Sequence, residues 1–377
     1  METNSTSQIG LTITPGIEDI AIYELQLLWA ELFERECPEV EKKKGKLYIN
    51  CEISEICKLI PFLRIPSQVY LLISTFTCKD SPKLYNRISK INWSQYLRGI
   101  NPIITASAKE SKLINTALIK EKAQKAIENS NRYSPIKSVP KEQPNLKNKI
   151  HIDIYNDIAK IELSLCGERL DKRGVKLGTD LAPMRESIAA AMLYKLSQYQ
   201  NGTLRDPMCG TGTFTSEAAM LLTYNNHRTY DFTHAPFFIT LPLGKRAKIE
   251  KSPFEKALYS DNQSSAMQTA KNNISKIKTS LTCTSTGVTN FFDLDDLEET
   301  NSIILNPPYG KRIKIDKKLN DLITEILSKA KTLKNTTHAC IIFPKWAATA
   351  LKDTKVVYKT FLKNGGIDVV MAVIDLH

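Results

Sequence analysis

With 377 residues, 42% hydrophobic and 24% charged, the chain has enough length and apolar content for two or three folded units, which excludes a disordered or low-complexity protein. No apolar run approaches the roughly 20 residues that cross a bilayer, and the polar stretch 1–10 lacks the core of a secretory signal, so a cytoplasmic protein is expected. The net charge of +12 is unevenly placed: residues 1–78 carry 7 basic and 11 acidic side chains, whereas residues 79–149 carry 15 and 5, a local excess that suits a phosphate backbone.

In chain order, residues 8–14 alternate toward a strand, and Pro15-Gly16 opens an amphipathic helix through about residue 30. A strand at 46–51, a helix at 53–60, a strand at 68–75 and a helix at 84–96 holding Trp93 follow. A second group has a strand at 102–107, a helix at 113–128 and a polar loop at 129–148. Strands at 150–155 and 158–165 face each other across Asn156-Asp157, a hairpin signal.

From about residue 182 the pattern becomes a regular βα alternation. Helices are expected at 186–199, 213–223, 264–277 and 317–333, and strands at 202–206, 257–261, 281–286, 302–306 and 338–343. Two last strands, 356–362 and 367–375, join at Asn364-Gly365-Gly366. This order predicts an α/β fold, a doubly wound and mostly parallel sheet with a hairpin edge, which binds ligands at the carboxyl ends of its strands.

Three motifs fall at such strand ends. Asp206-Pro207-Met208-Cys209-Gly210-Thr211-Gly212-Thr213-Phe214 joins a strand to a helix. Its glycines let the backbone approach a ligand, and the helix start offers free N–H groups. It is neither the G-x-G-x-x-G fingerprint nor a phosphate loop with a lysine, so a ligand with an amino-acid tail fits it better, with Asp206 receiving the ammonium. Asp261, followed by Asn262, ends the next strand, where a carboxylate commonly accepts ribose hydroxyls. Asp293, one strand further, is placed to hydrogen-bond an adenine amine; helix capping is the plainer alternative for both carboxylates.

The third motif, Asn306-Pro307-Pro308-Tyr309-Gly310, follows the apolar strand Ile303-Ile304-Leu305. The prolines stiffen the turn. The Asn306 amide oxygen and the Pro307 carbonyl can accept both protons of a planar exocyclic amine, and Tyr309 offers a face to a flipped base. The eight cysteines are scattered without a C-x-x-C pair, and the five histidines lack ligand spacing, so reduced thiols and no metal are expected.

D-P-M-C-G-T-G followed by N-P-P-Y-G resembles the S-adenosylmethionine-dependent amino-methyltransferases. Residues 88–97 and 163–192, with Gly167-Glu168-Arg169-Leu170, Arg173-Gly174 and Ala182-Pro183-Met184-Arg185-Glu186, narrow this. They resemble the bacterial THUMP-containing 23S ribosomal-RNA guanine-N2 methyltransferases, as does the closing Asn364-Gly365-Gly366-Ile367. Thr211 stands where that family often has serine, an exchange of one small hydroxyl residue for another.

The resemblance implies a ferredoxin-like unit at 1–65, a THUMP RNA-binding domain at 66–165 and a Rossmann-like catalytic domain, a mostly parallel seven-stranded sheet, at 166–377. It also implies that Pro183, Asp206, Pro207, Cys209, Gly210, Thr211, Gly212, Thr213, Asp261, Asn262, Asp293 and Asn306 surround S-adenosylmethionine, with Asn306, Pro307, Pro308 and Tyr309 catalytic. Lys109, Lys112, Lys120 and Lys122 are the candidates for binding RNA. A single catalytic domain leads to the expectation of one modification. Methylation of transfer RNA, adenine-N6 methylation and a noncatalytic RNA-binding assembly factor remain alternatives.

Overall fold

The computed structural model describes residues 6–97, 102–130, 148–175, 184–240, 249, 252–294, 300–309, 319–333 and 335–377. Within them the chain builds two seven-stranded sheets. The first begins with β1 (Ser7–Thr12), α1 (Glu18–Phe33), β2 (Val40–Lys43), β3 (Lys46–Cys51) and α2 (Ile53–Leu59). It continues with β4 (Gln68–Thr77), α3 (Ser81–Ile88), β5 (Ile103–Lys109), α4 (Thr116–Ser130), β6 (Lys149–Tyr155) and β7 (Ile158–Ser164). The strand order is β2-β3-β1-β4-β7-β6-β5. Because β4 pairs antiparallel with both β1 and β7, the division expected at 65/66 lies inside one hydrogen-bonded sheet.

The β6–β7 turn carries Asn156 and Asp157 at φ +50° and +59°, the left-handed pair that a two-residue hairpin needs. Strand β2 has no counterpart among the expected elements, since Val40-Glu41-Lys42-Lys43 is too charged to show an apolar period. The helix expected at 84–96 is corrected. It starts earlier, where Asp80 caps it by accepting from the Lys83 N–H at 2.8 Å, and it stops at Ile88. There the Trp93 indole N–H donates to the Ile88 carbonyl at 3.0 Å, and Trp93 opens a separate 3₁₀ turn.

The second sheet starts after α5 (Glu186–Ser197) with β8 (Thr203–Asp206), α6 (Thr213–Met220), β9 (Lys256–Asp261), α7 (Ser264–Ile274) and β10 (Thr282–Val288). β11 (Ser302–Leu305), α8 (Leu319–Thr332), β12 (His338–Pro344), β13 (Lys355–Asn364) and β14 (Ile367–Asp375) complete it. Its order, β10-β9-β8-β11-β12-β14-β13, is parallel except where β14 runs antiparallel between β12 and β13. This is the expected Rossmann-like, doubly wound and mostly parallel α/β architecture. All four residues of β11 are buried, as a parallel strand covered on both faces requires.

A buried charged junction ties the two sheets together. Arg64, 1% exposed, donates to the carbonyls of Pro61 and Leu63 in its own unit and of Met220 and Thr223 in the other. Glu24 accepts the Arg64 and Ile65 N–H groups at 2.6 and 3.1 Å. Arg173 completes the set, with a two-bond pair to Glu217 at 3.0 and 2.9 Å and a third bond to the Arg64 carbonyl at 2.6 Å. Glu217 lies on α6, so the first sheet is anchored to the helix that follows the glycine loop.

Candidate active site

Strand β8 ends at Asp206, and residues 207–212 turn the chain into α6. Gly212 caps that helix at φ +80°, and a Cβ there would stand 3.1 Å from the Cβ and 3.2 Å from the Cα of Ala270. Glycine therefore allows both the turn and the close approach of α6 to α7. At Gly210, φ is +52° and nothing lies within 4 Å of where a Cβ would be, so this side of the loop is open. The Gly210 N–H donates to Asp261 Oδ2 at 2.8 Å, and the Gln263 N–H donates to Oδ1 at 3.0 Å. Half-buried Asp261 is thus held by backbone while each oxygen keeps a lone pair for a further donor.

Asp206 is 1% exposed. Its Oδ2 accepts from Thr215 Oγ1 at 2.9 Å, whereas Oδ1 has no hydrogen-bond partner among the described residues. Burial pushes its pKa up to about 7, against the hydrogen bonds from Thr215. A buried carboxylate oxygen left without a donor is costly, and a cationic ligand group would satisfy it. Cys209 is buried, its Sγ 3.6 Å from Met267 Sδ, and burial pushes its thiol up. Its burial favours the neutral thiol, which suits a packing residue better than a nucleophile.

Asn306 follows β11, on the strand next to β8. Strand order reverses between these two neighbours, β9 lying beyond β8 and β12 beyond β11, which makes their carboxyl ends the topological switch point. Asn306 Oδ1 is buried and makes no hydrogen bond among the described residues. Pro307 is buried, Pro308 exposed and Tyr309 half-buried. The Tyr309 hydroxyl accepts from Asn364 Nδ2 at 3.3 Å, and burial raises its pKa. Since β13 runs parallel to β12, its end at Asn364 reaches the same edge as Asn306.

The fold brings Asp206, Pro207, Cys209, Gly210, Thr211, Gly212, Thr213 and Asp261 into one loop cluster, with Asn306 to Tyr309 on the adjoining strand end. Asn262 is exposed beside Asp261, and Asp293 is exposed in a 3₁₀ turn after β10. Pro183 lies outside the described residues. Lys109, Lys112 and Lys120 are exposed and Lys122 half-buried on β5, α4 and the connection between them, away from this cluster in the chain's other sheet. Sequence reasoning missed Thr215 and Asn364, whose partners are brought to them only by tertiary structure. No group of three His, Cys, Asp or Glu side chains suited to a metal occurs among the described residues.

Comparison with known proteins bears on the fold and the family. A "Ribosomal RNA large subunit methyltransferase K/L" of Buchnera aphidicola is 27% identical over 93% of this chain and 52% of its own length. The chain spans about half the length of such curated relatives. Two solved structures share the fold over 98% of both chains: one described as a possible methylase from Clostridium difficile, 22% identical with TM-score 0.78, and SMU.472 in complex with SAH, 23% identical with TM-score 0.77. The family model for an RMKL-like methyltransferase domain matches residues 173–372, more than half of the sequence and the second sheet up to the middle of β14, and the chain belongs to that family.

Proposed function

We propose that the chain methylates an exocyclic base nitrogen of structured RNA, guanine N2 of large-subunit ribosomal RNA, from S-adenosylmethionine. The observation that carries this reading is the pair of unsatisfied buried oxygens, Asp206 Oδ1 and Asn306 Oδ1, on neighbouring strands at the switch point. One suits the ammonium of an amino-acid tail, and the other suits the protons of an amine. The ribosomal-RNA methyltransferase name of the Buchnera relative and the SAH held by the second solved structure support it.

The residues present fit the cofactor: Asp206 for its ammonium, the open Gly210 backbone for its tail, and Asp261 for its ribose hydroxyls. Asn262 and Asp293 flank the adenine end, and Pro207, Thr211, Gly212 and Thr213 shape the wall. Bound there, it supplies an electrophilic methyl. Asn306 Oδ1 and the Pro307 carbonyl accept the two N–H bonds of the amine and aim its lone pair, while Pro308 fixes the turn and Tyr309 stacks on the base. Nitrogen sheds its extra proton to water after gaining the methyl, so no strong base is needed.

The first sheet would then present RNA to this site, as a ferredoxin-like unit at 1–65 and a THUMP domain at 66–165, with Lys109, Lys112, Lys120 and Lys122 on phosphates. A cytoplasmic location would suit such a substrate. Transfer of radiolabelled methyl to separate pools of ribosomal RNA, transfer RNA and DNA, followed by nucleoside analysis, tests the reading. N2-methylguanosine in large-subunit RNA, lost in Asn306→Ala with cofactor affinity retained, is the expected result. N6-methyladenine, or label confined to transfer RNA or DNA, overturns the substrate.

A further inference from the structure

The chain holds three tryptophans. Trp29 and Trp93 are 0% and 1% exposed, whereas Trp346 is 67% exposed. Leaving an indole in water forfeits its burial energy, so its place in the fold matters. Trp346 lies two residues beyond β12, the strand that pairs with β11 on the side away from β8. The segment Lys345–Leu351 packs on the start of α8, where Asn320 Nδ2 donates to Thr349 Oγ1 at 3.0 Å. The register Leu305↔Ile341 carries β12 past the level of Asn306, so Lys345 and Trp346 rise on the rim beside the Asn306–Tyr309 loop.

The surroundings of Trp346 are basic and partly aromatic. Lys345, also exposed, sets its Nζ 5.0 Å from the ring centre of Phe361, which is itself 46% exposed. Phe361 shares one face of edge strand β13 with Lys359 and Lys363, all three exposed, and beyond a register shift at Val357 the strand also exposes Val357 and Lys355. Lys355 and Lys363 pair with Asp375 and Asp368, while Lys359 makes no ion pair among the described residues. Lysines alone would be ordinary protection of an edge strand. Two exposed aromatic rings interleaved with them, at the rim of a base-modifying site, are the composition of a surface that tracks a single strand.

We infer that Trp346, with Phe361 and the ammonium groups of Lys345 and Lys359, forms a stacking platform for the unpaired RNA segment flanking the methylated nucleotide. Trp346 stacks on a neighbouring base once the target has left the helix, and the lysines neutralise the phosphates beside it. The platform would bind single-stranded RNA with little sequence preference and help hold the target base over Tyr309. This rests on the reading that the substrate is RNA.

The test uses the full chain and a short single-stranded oligoribonucleotide. With the other two tryptophans buried, quenching of the exposed indole fluorescence reports on Trp346 itself. Wild type should bind with quenching, and Trp346→Phe should keep the affinity while losing the signal. Trp346→Ala should weaken binding about tenfold, as removal of one base stack would, with S-adenosylmethionine affinity unchanged. RNA binding to wild type without quenching, together with full affinity in Trp346→Ala, would overturn the platform and leave the RNA reading standing. If wild type bound no RNA and methylated only DNA or protein, the reading of the substrate would fail instead.

Discussion

Asn364 at the end of β13 donates from Nδ2 to the hydroxyl of Tyr309, 3.3 Å away, and so joins the terminal hairpin to the loop that carries Asn306. Tyr309 is thereby held at its hydroxyl end as well as through its backbone. In Asn364→Ala the ring is freed from that restraint. A single hydrogen bond contributes about 0.5–1.5 kcal/mol, so methyl transfer should slow roughly twofold to tenfold. Single-turnover rates measured beside cofactor affinity check this; an unchanged rate would remove the hairpin from the positioning of Tyr309.

The buried carboxylate at the end of β8 gives a pH dependence with a definite sign. Asp206 ionises at 3.8 without the fold and at about 7 within it. Between these values the folded protein keeps a proton that the unfolded chain has released. Stability therefore falls as pH rises through the window and levels off above it. Glu24, raised by burial from 4.5 to about 7, acts in the same direction. Asp206→Asn should remove about 2–3 kcal/mol of the decline seen between pH 5 and pH 8 in urea unfolding. A decline equal to that of wild type would show that Asp206 is not the group responsible.

On the proposed role of Asp206, the same carboxylate should tie cofactor affinity to pH. An ammonium prefers the ionised form of Asp206, so affinity should rise as pH passes from 6 toward 7, by up to about tenfold per unit below the pKa. Binding near pH 6 should release a proton, visible calorimetrically as a dependence on the buffer's ionisation enthalpy. Asp206→Asn should bind more weakly and with a flat pH profile. If the variant kept the wild-type slope, the ammonium would have to lie elsewhere.

Arg173 and Glu217, 3% and 1% exposed at their side chains, form a buried pair that also holds the Arg64 carbonyl. Arg173→Met leaves the Glu217 carboxylate buried without its guanidinium, which costs about 3–5 kcal/mol. Arg173→Met with Glu217→Leu removes both charges, and the double variant should recover part of that stability. Denaturant titration of the two single variants and the double checks the coupling. Additive effects would mean that the pair acts through packing alone.

How far the sequence predicts this molecule depends on the range over which each signal acts. The glycine loop and the Asn-Pro-Pro-Tyr turn are local chemistry beside apolar strands, and both sit at strand ends as expected. The Asn156-Asp157 and Asn364-Gly365-Gly366 turns are equally local. By contrast, Asn364 and Tyr309 are 55 residues apart, and Arg64 and Thr223 are 159 apart, so no periodicity links them. Charged β2 exists because β3 pairs with it, and α3 ends early because a tryptophan side chain takes its terminal carbonyl. Each is a tertiary effect that overrides local preference.

If the first sheet holds RNA as proposed, its lysines should not contribute equally to the affinity. Lys109 Nζ lies 3.5 Å from Glu110, so part of its charge is already answered on the protein surface. Lys120 is exposed on α4 and makes no ion pair among the described residues. Lys122 lines a groove between α3 and α4 with Tyr85, Asn86 and Lys125, and its flank is partly covered. Removing one lysine–phosphate pairing lowers the slope of log affinity against log salt by about 0.7–0.9. Lys120→Glu and Lys122→Glu should therefore reduce both affinity and slope, and Lys109→Glu should do so less. Affinities taken across a salt series separate these effects, because a structural role changes affinity without changing slope. Wild-type slopes in all three variants would move the phosphate-binding surface off α4 and β5 altogether.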